Sequence, residues 1–416
     1  MPPGSRPIAA AGRVGLIQAQ RKLHTFFGVS FLLIGIVFST RFVIDVSTRL
    51  LFTFVPQLTG GLRMTLIGFG WLMFLRAIVG VTGPIFGAAS DRHGRRWVMA
   101  FALLVQAVAM TGLAFSQGWW AVIPMVLSGL SLAAFVPAQQ AYASEQAPPQ
   151  KRGRVMGAVE LSWSCTAIFA TPVVGWLINE VGWRAPLLIL GLLSLLGTAV
   201  VLQLPAVPLR QSLAQRQNWA QTRQQLVRKN ILATVLVAFL VYIAVTCYLT
   251  IAGVWLAADF GLNAAVIGSV FVAIGFAELA GAGASSLLID RIGKRRGNVL
   301  GLILLALAFA IFSILPQILS LAVFFLAAMG LLFQFTIVSL LPLYAEQSVA
   351  ARGTVLALVF AGVGLGAALG PPLTAMLWER YHAVGVSAIG VACTLLAVGL
   401  VWRFLRETAV AVPNLS

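Results

Sequence analysis

Residues 87–96 read Gly-Ala-Ala-Ser-Asp-Arg-His-Gly-Arg-Arg, and residues 290–295 read Asp-Arg-Ile-Gly-Lys-Arg, about 200 positions later. Each copy directly follows a long apolar run. Three further matches lie at a similar offset: Tyr142-Ala143-Ser144-Glu145-Gln146 with Tyr344-Ala345-Glu346-Gln347, Arg152-Gly153 with Arg352-Gly353, and Thr171-Pro172 with Pro371-Pro372. Matches that recur at one offset are typical of internal duplication. The chain is therefore expected to consist of two related halves.

The amino-acid composition indicates the solvent in which the chain folds. Of its 416 residues, 60% are hydrophobic and only 9% are charged, whereas soluble domains carry roughly 25% charged residues. Hydrocarbon does not tolerate unpaired backbone groups, and the apolar runs lack the alternating pattern of outer-membrane barrel strands. The sequence therefore predicts an all-α integral membrane protein.

The chain contains twelve apolar runs of the length needed to span a bilayer, which is about 20 residues. They lie near 28–55, 64–88, 97–116, 120–143, 155–178, 186–204, 231–256, 265–289, 298–315, 319–342, 354–378 and 384–402. A polar stretch with five basic residues and no acidic residue separates the first six runs from the last six. This pattern predicts an N-terminal six-helix bundle (1–204), a basic linker (205–230) and a C-terminal six-helix bundle (231–416).

The basic residues between the runs indicate the orientation in the membrane. If the spans alternate, 22 of the 28 Lys and Arg residues lie in the termini and connections on the side of the amino terminus. By the positive-inside rule this side is the cytoplasm, so both termini are expected there, in a bacterial-type inner (plasma) membrane. The net charge of +17 is then an orientation signal, and nucleic acid is not an expected partner. The first apolar run is too long for a cleavable signal peptide.

Two six-helix halves with the motif at 87–96 resemble the major facilitator superfamily of secondary transporters, whose second loop carries Gly-x-x-x-Asp-Arg-x-Gly-Arg-Arg/Lys. The resemblance covers nearly the whole chain and implies a fold of twelve transmembrane helices in two pseudo-symmetric six-helix bundles. In the family this loop is a conformational latch, because its acid and guanidinium groups can make and break ion pairs as the bundles move. The resemblance implies gating roles for Gly87, Asp91, Arg92, Gly94 and Arg95, with Asp290 and Arg291 as the weaker copy. The alternative is that the basic residues only anchor the topology.

Two more sequence features bear on gating and on the direction of transport. The helix-end acids Glu145 and Glu346 are followed by Arg152 and Arg352, and we expect gate ion pairs there. Residues 171–175 read Thr-Pro-Val-Val-Gly and partly resemble the Gly-Pro-x-x-Gly-Gly motif of the family's drug/proton antiporters. Thr171 and Trp176 replace two of its glycines.

Six ionisable residues fall inside the apolar runs: Arg41, Asp45, Arg49, Arg76, Glu160 and Glu278. Such a side chain costs about 2.5–3.5 kcal/mol at the bilayer centre and usually faces the bundle interior. At about 100° per residue, Arg41, Asp45 and Arg49 project from one face of the first helix. With Arg76 they leave a surplus of positive charge, which a substrate anion or a carboxylate of another helix could balance. The alternative is an internal ion-pair network with Arg49 reaching the outer interface.

Glu160 and Glu278 have no basic residue within one turn. A buried carboxyl group without a close partner can carry a proton near neutral pH, which proton coupling requires. The alternative is that each pairs with Arg76 or a first-helix arginine and is structural.

By the resemblance, helices 1, 4, 7 and 10 line the cavity, which makes Gln139, Tyr242 and Gln334 further substrate candidates. Aromatic and amide groups suit an amphipathic solute, although they also pack against neighbouring helices.

The sequence is therefore interpreted as a secondary active transporter that works by alternating access. Proton coupling and efflux of a small organic solute are favoured, in a monomer without a cofactor, metal site or catalytic residues. One alternative is uptake or exchange of an organic anion, or flipping of an anionic amphiphile. Another, from a different class, is a membrane sensor or scaffold that does not transport, since a fold alone does not fix function.

Overall fold

The computed structural model describes residues 28–205, 229–347 and 352–407. Nearly all of these residues lie in helices that run back and forth across one layer. The predicted linker at 205–230 falls almost entirely between the described ranges, so the proposed domain boundary there stays a prediction.

The described helices form twelve spans, which we number in chain order. Span 1 comprises Phe31–Thr53 and Val55–Leu62, span 2 Leu66–Ile78, Val79–Thr82 and Gly83–His93, span 3 Arg95–Phe115, span 4 Gly118–Gln146, span 5 Pro149–Glu180, span 6 Arg184–Val201, span 7 Lys229–Phe260, span 8 Ala264–Ile292, span 9 Lys294–Phe312 and span 10 Leu319–Ala345. Spans 11 and 12 are the two parts of Arg352–Phe404, divided at His382.

Within the described ranges, nine helices are by themselves long and apolar enough to cross a membrane, and a bent pair raises this to ten. That count takes Arg352–Phe404 as one helix, although its backbone turns at His382, where φ is 49° and ψ is −137°. The bent pair is Val55–Leu62 with Leu66–Thr82, so only the helix Phe31–Thr53 of span 1 falls outside the count; it carries three charged residues, Arg41, Asp45 and Arg49. With these spans added, the helices agree with the twelve that the sequence predicts.

Local chemistry explains two irregular spans. Span 2 changes to a 3-10 turn at Val79–Thr82, which Gly83 and Pro84 follow, and Pro84 has no amide hydrogen to donate to the preceding turn. Span 5 contains a π-helical turn at Thr166–Ala170, directly before Thr171 and Pro172. Such turns are frequent at functional sites, and this one presents the hydroxyl of Thr166 to span 1.

Two glycines set the sharp connections of the repeated motif. Gly94 and Gly293 have φ values of 94° and 93°, a conformation that other residues rarely adopt. We call the membrane side that holds residues 91–96 and 290–295 the motif side, and the opposite side the far side. Each motif glycine lets the chain leave one span and immediately enter the next.

On the far side, glycines let the helices of the two halves approach each other closely. A Cβ atom at Gly253 of span 7 would lie 1.9 Å from the carbonyl oxygen of Thr53 in span 1. A Cβ atom at Gly175 of span 5 would lie 2.3 Å from the Ala264 carbonyl oxygen of span 8. Gly70 of span 2 similarly contacts the backbone of Pro372 in span 11. Small residues allow this close approach of helices, which closes the far side.

Contacts between the halves are sparser on the motif side. The helix Gly83–His93, which ends span 2 there, makes its main helix contacts within the N-terminal half. The far-side part of the same span, Leu66–Ile78, packs extensively against Arg352–Phe404, where its Gly70 contacts Pro372 of span 11. Among the described helices, the halves therefore diverge from the far side toward the motif side.

Candidate substrate and coupling site

The predicted stripe of charge lies on span 1, and its first two members pair with each other. The Nε atom of Arg41 donates to both carboxylate oxygens of Asp45 at 3.0 Å, one turn along the helix. Asp45 also accepts a short hydrogen bond from the hydroxyl of Ser162 in span 5. Both members of the Arg41–Asp45 pair are largely buried. The hydrogen bond between Asp45 and Ser162 thus joins the pair on span 1 to span 5, within the N-terminal half.

Glu160 of span 5 adds a second carboxylate to the same guanidinium group. Its Oε2 lies 3.7 Å from Nη2 of Arg41, and its Oε1 accepts a hydrogen bond of 3.1 Å from Gln140. The Glu160 side chain is 50% exposed. Its carboxylate interacts electrostatically with the hydroxyl of Tyr242 in span 7, which belongs to the other half. Arg41 thus serves two carboxylates, and one of them is half-exposed.

Arg49 links the two halves of the protein. Its Nη2 lies 2.8 Å from the carboxylate of Glu278 in span 8, and its Nε donates to the hydroxyl of Thr166 at 2.9 Å. Its guanidinium group lies over the Trp163 ring, 4.2 Å from the centroid. Arg49 and Glu278 are both buried. Arg49 does not reach the interface, and the cross-helix pair considered for Glu278 is the arrangement found.

Arg76 of span 2 is the third buried guanidinium group near this cluster. Its Nη2 donates to the hydroxyl of Thr48 at 2.9 Å, and its Nε to the hydroxyl of Ser128 at 3.2 Å. Within the described residues it forms no ion pair. The surplus positive charge expected from the sequence is therefore located at Arg76, because the other two arginines have carboxylate partners.

The three polar candidates of spans 4, 7 and 10 differ in position. The amide of Gln139 donates to the Val37 carbonyl oxygen of span 1 at 2.7 Å and is completely buried. Tyr242 is partly buried on span 7. Gln334 is partly buried and has no hydrogen bond with a described residue. Within the described part of the chain, none of the three forms a hydrogen bond with a charged side chain, whereas Gln140, next to Gln139, donates to Glu160.

Several groups that hold the charged residues were not predicted. They are Thr48, Ser128, Ser162, Trp163 and Thr166. Hydroxyl groups are frequent in apolar helices, where they usually bond to their own backbone, so most of them carry no distinctive signal. Ser162 and Thr166 lie one turn apart and closely follow Glu160, and this polar face of span 5 is a signal that could have been used.

The motif-side residues form one ion-pair group in each half. Arg95 pairs with both Asp91 and Glu145, the latter at 3.0 Å. Lys294, which follows Gly293 as Arg95 follows Gly94, pairs with Glu346 at the end of span 10. The duplication seen in the sequence is thus also a duplication of contacts.

The other predicted gate residues take different positions. Glu145 does not pair with Arg152, because Arg152 opens the next helix and its Nε donates to the Ala147 carbonyl oxygen at 3.4 Å. Arg92 and Arg291 are exposed, and Gly87 has open space where a Cβ atom would be. The side chains of Asp290 and Arg352 lie outside the described part of the structure.

Two related six-span halves with buried charge between them are the architecture of membrane transporters. Comparison with known families agrees with this class. The family model of the Major Facilitator Superfamily matches residues 37–252 and 234–415. The chain belongs to this superfamily and is a membrane transporter of small solutes.

Individual relatives are distant. NiaP of Bacillus subtilis (strain 168), a candidate niacin/nicotinamide transporter, is 25% identical over 81% of this chain and 86% of its own length. A homolog of the multi-drug resistance efflux pump PmrA from Lactococcus lactis subsp. lactis (strain IL1403) is 29% identical, but the match spans only 30% of each chain. The crystal structure of a D-xylose-proton symporter has a TM-score of 0.75 at 17% identity, covering 91% of this chain and 98% of that one. This last likeness shows the fold alone.

Proposed function

We propose that this transporter is proton-coupled and moves a small organic solute by alternating access. The observation that carries the proposal is the sharing of Arg41 by Asp45 and Glu160. When all three groups are ionised they sum to one negative charge, and the two carboxylates that share the guanidinium group repel each other. A proton on Glu160 would leave a neutral Arg41–Asp45 pair. The half-exposed carboxylate of Glu160 is placed to exchange that proton with water.

Alternating access would connect this site to each side of the membrane in turn. The basic loops favour the cytoplasm as the location of the motif side. On that assignment the close glycine contacts seal the outer face, and Glu160 is open toward the cytoplasm. Movement of the halves about the charged cluster would then close the motif side and part the far-side contacts.

Export is the direction that we predict, as proton antiport. The PmrA homolog is named an efflux pump, although its match covers less than a third of either chain. Antiport requires that the protein binds either a proton or the substrate, and not both at once. An opposite result, in which proton and substrate bind together, would support uptake by symport.

The first experiment identifies a ligand and then tests the coupling. Purified protein is screened by thermal shift at two pH values against a panel that includes nicotinate and nicotinamide, because binding raises apparent stability by mass action. Compounds that stabilise the protein are then followed in proteoliposomes with an imposed pH gradient. Gradient-driven flux supports the proposal. Flux that no pH gradient changes would refute proton coupling.

Glu160→Gln should lose gradient-driven transport while keeping gradient-independent exchange of labelled substrate. The reason is that a glutamine cannot take up the proton but keeps the hydrogen bond to Gln140. We expect the driven flux to fall roughly tenfold or more, within the range typical of coupling free energies. Glu180→Gln, at the exposed far-side end of the same span, is the matched control and should transport normally. Equal losses of driven flux and exchange would contradict a coupling role.

Asp91→Asn should slow transport without changing ligand-induced stabilisation. Asp91 is half-exposed and shares Arg95 with Glu145, and an exposed ion pair contributes about 0.2–1 kcal/mol. A change in flux of up to about fivefold is therefore expected. The readout is the initial rate of flux at saturating substrate. A rate unchanged within error would argue against the latch, and absence of flux in the unsubstituted protein would favour the sensor or scaffold alternative.

A further inference from the structure

Arg76 lies where the helix of span 2 is interrupted. It is in the last turn of Leu66–Ile78, directly before the 3-10 turn Val79–Thr82. Only 5% of the residue is exposed. Its backbone lies against span 4, since a Cβ atom at Gly129 would be 2.0 Å from the Arg76 carbonyl oxygen. The guanidinium group is thus held at a fixed place between spans 1, 2 and 4.

The hydrogen bonds of Arg76 leave part of its guanidinium group unused. Nε and Nη2 donate to the hydroxyls of Ser128 and Thr48, and Nη1 has no partner among the described residues. The hydroxyl of Thr48 itself donates to the Ile44 carbonyl oxygen at 3.1 Å. The hydroxyl of Ser128, which is completely buried, makes no other hydrogen bond within the described residues, so its hydrogen has no acceptor there.

The charge of Arg76 is not compensated by these contacts. Hydroxyl groups solvate a cation but do not neutralise it, and a buried charge normally has an ionic partner. The end of the preceding helix offers some compensation, because cations are stabilised near a helix C-terminus. Arg41 and Arg49, in the same cluster, both have carboxylate partners. Arg76 is therefore the position in the cluster at which an added anion would gain most.

We infer that Arg76, together with the hydroxyls of Thr48 and Ser128, forms a subsite for a carboxylate group of the transported solute. Nη1 and the Ser128 hydroxyl are the two donors that would bind its oxygens. Guanidinium and carboxylate groups match in planar geometry and form strong charge-assisted hydrogen bonds. Thr48 neighbours Arg49 on span 1, so the carboxylate would lie beside the ion pair that joins the halves. This inference names the substrate class of the proposed transporter and rests on that proposal.

The test compares acids with their amides, which have the same shape and lack the charge. Nicotinate and nicotinamide, and benzoate and benzamide, are titrated into the purified full-length protein while its melting temperature is measured. We expect the acid of at least one pair to stabilise the protein much more than its amide. Arg76→Gln should weaken binding of that acid roughly tenfold or more, since it removes a charged hydrogen-bonding partner, and should leave binding of any amide unchanged.

A second readout separates ligand binding from a structural role. Without ligand, Arg76→Gln should melt at the same temperature as the unsubstituted protein or higher, because it removes an uncompensated charge. Ser128→Ala provides a second variant in case Arg76→Gln does not fold, and it should also weaken binding of the acid. The inference is overturned if no acid stabilises the protein more than its amide, or if both variants bind the acid normally.

Failure of the subsite and failure of proton coupling give different results. If the acid binds through Arg76 but no pH gradient drives its flux, the subsite is supported and the proposed coupling is wrong. If a neutral solute is driven by the pH gradient and Arg76→Gln transports it normally, coupling is supported and the carboxylate subsite is overturned.

Discussion

Glu278→Gln is expected to abolish transport and to lower the thermal stability of the protein. Its carboxylate lies 2.8 Å from Nη2 of Arg49, and both side chains are almost fully removed from solvent. Glutamine would leave Arg49 charged and buried with only neutral partners, Thr166 and the Trp163 carbonyl group. Removal of one partner from a buried ion pair typically costs about 3–5 kcal/mol.

The position of this pair makes the effect on transport separable from that on stability. Arg49 belongs to span 1 and Glu278 to span 8, so the pair crosses the boundary between the two halves. If the two states of the transporter differ in the distance between spans 1 and 8, the ion pair stabilises the state in which these spans are close. Loss of the pair then changes the relative populations of the two states.

Removal of both charges is the control. Arg49→Met and Glu278→Met together leave no unpaired charge, and replacement of a buried ion pair by apolar residues is often neutral or stabilising. We expect the double variant to recover its melting temperature but not its transport. Recovery of both would assign the pair a purely structural role. A normal melting temperature in Glu278→Gln would show that burial of the Arg49 charge does not require this carboxylate.

The fold was largely predictable from the sequence because apolar length is a local property. Span 5 was expected at 155–178 and extends over Pro149–Glu180, and span 7 was expected at 231–256 and extends over Lys229–Phe260. The helices run beyond the predicted runs because hydropathy detects the hydrocarbon core and not the polar turns of a helix outside it. The breaks in the first two spans, at Phe54 and at Val79–Thr82, were not predicted.

The candidate site was predictable only where it depends on spacing along one helix. The Arg41–Asp45 pair follows from residues four apart on one face. The partner of Arg49 is 229 positions away and the partner of Asp45 in span 5 is 117 positions away. Such contacts depend on how the spans pack, which a single sequence does not specify. The same limit explains why Glu145 was assigned to the nearby Arg152 and is found with Arg95.

Gly253→Ala is expected to part the two halves on the far side. The added Cβ atom would lie 1.9 Å from the Thr53 carbonyl oxygen, far inside any permissible contact. A backbone carbonyl group cannot turn away as a flexible side chain can, so span 7 must move from span 1. Because close packing resists continuous deformation, the substitution should shift the population toward a state that is open on the far side, and transport should fall sharply.

The shift can be measured as a distance between spin labels. Val181 and Ala258 are exposed on the far side, one in each half, and their cysteine variants are labelled in a background without the three native cysteines. The control is Gly364→Ala, because Gly364 also lies within a helix but has no atom within 4 Å of an added Cβ. Both substitutions gain the same intrinsic helix preference, about 1 kcal/mol. A longer far-side distance in Gly253→Ala alone is the expected result, since of the two positions only Gly253 lies where the halves meet. Equal distances and normal transport in both variants would mean that Gly253 does not form part of the seal.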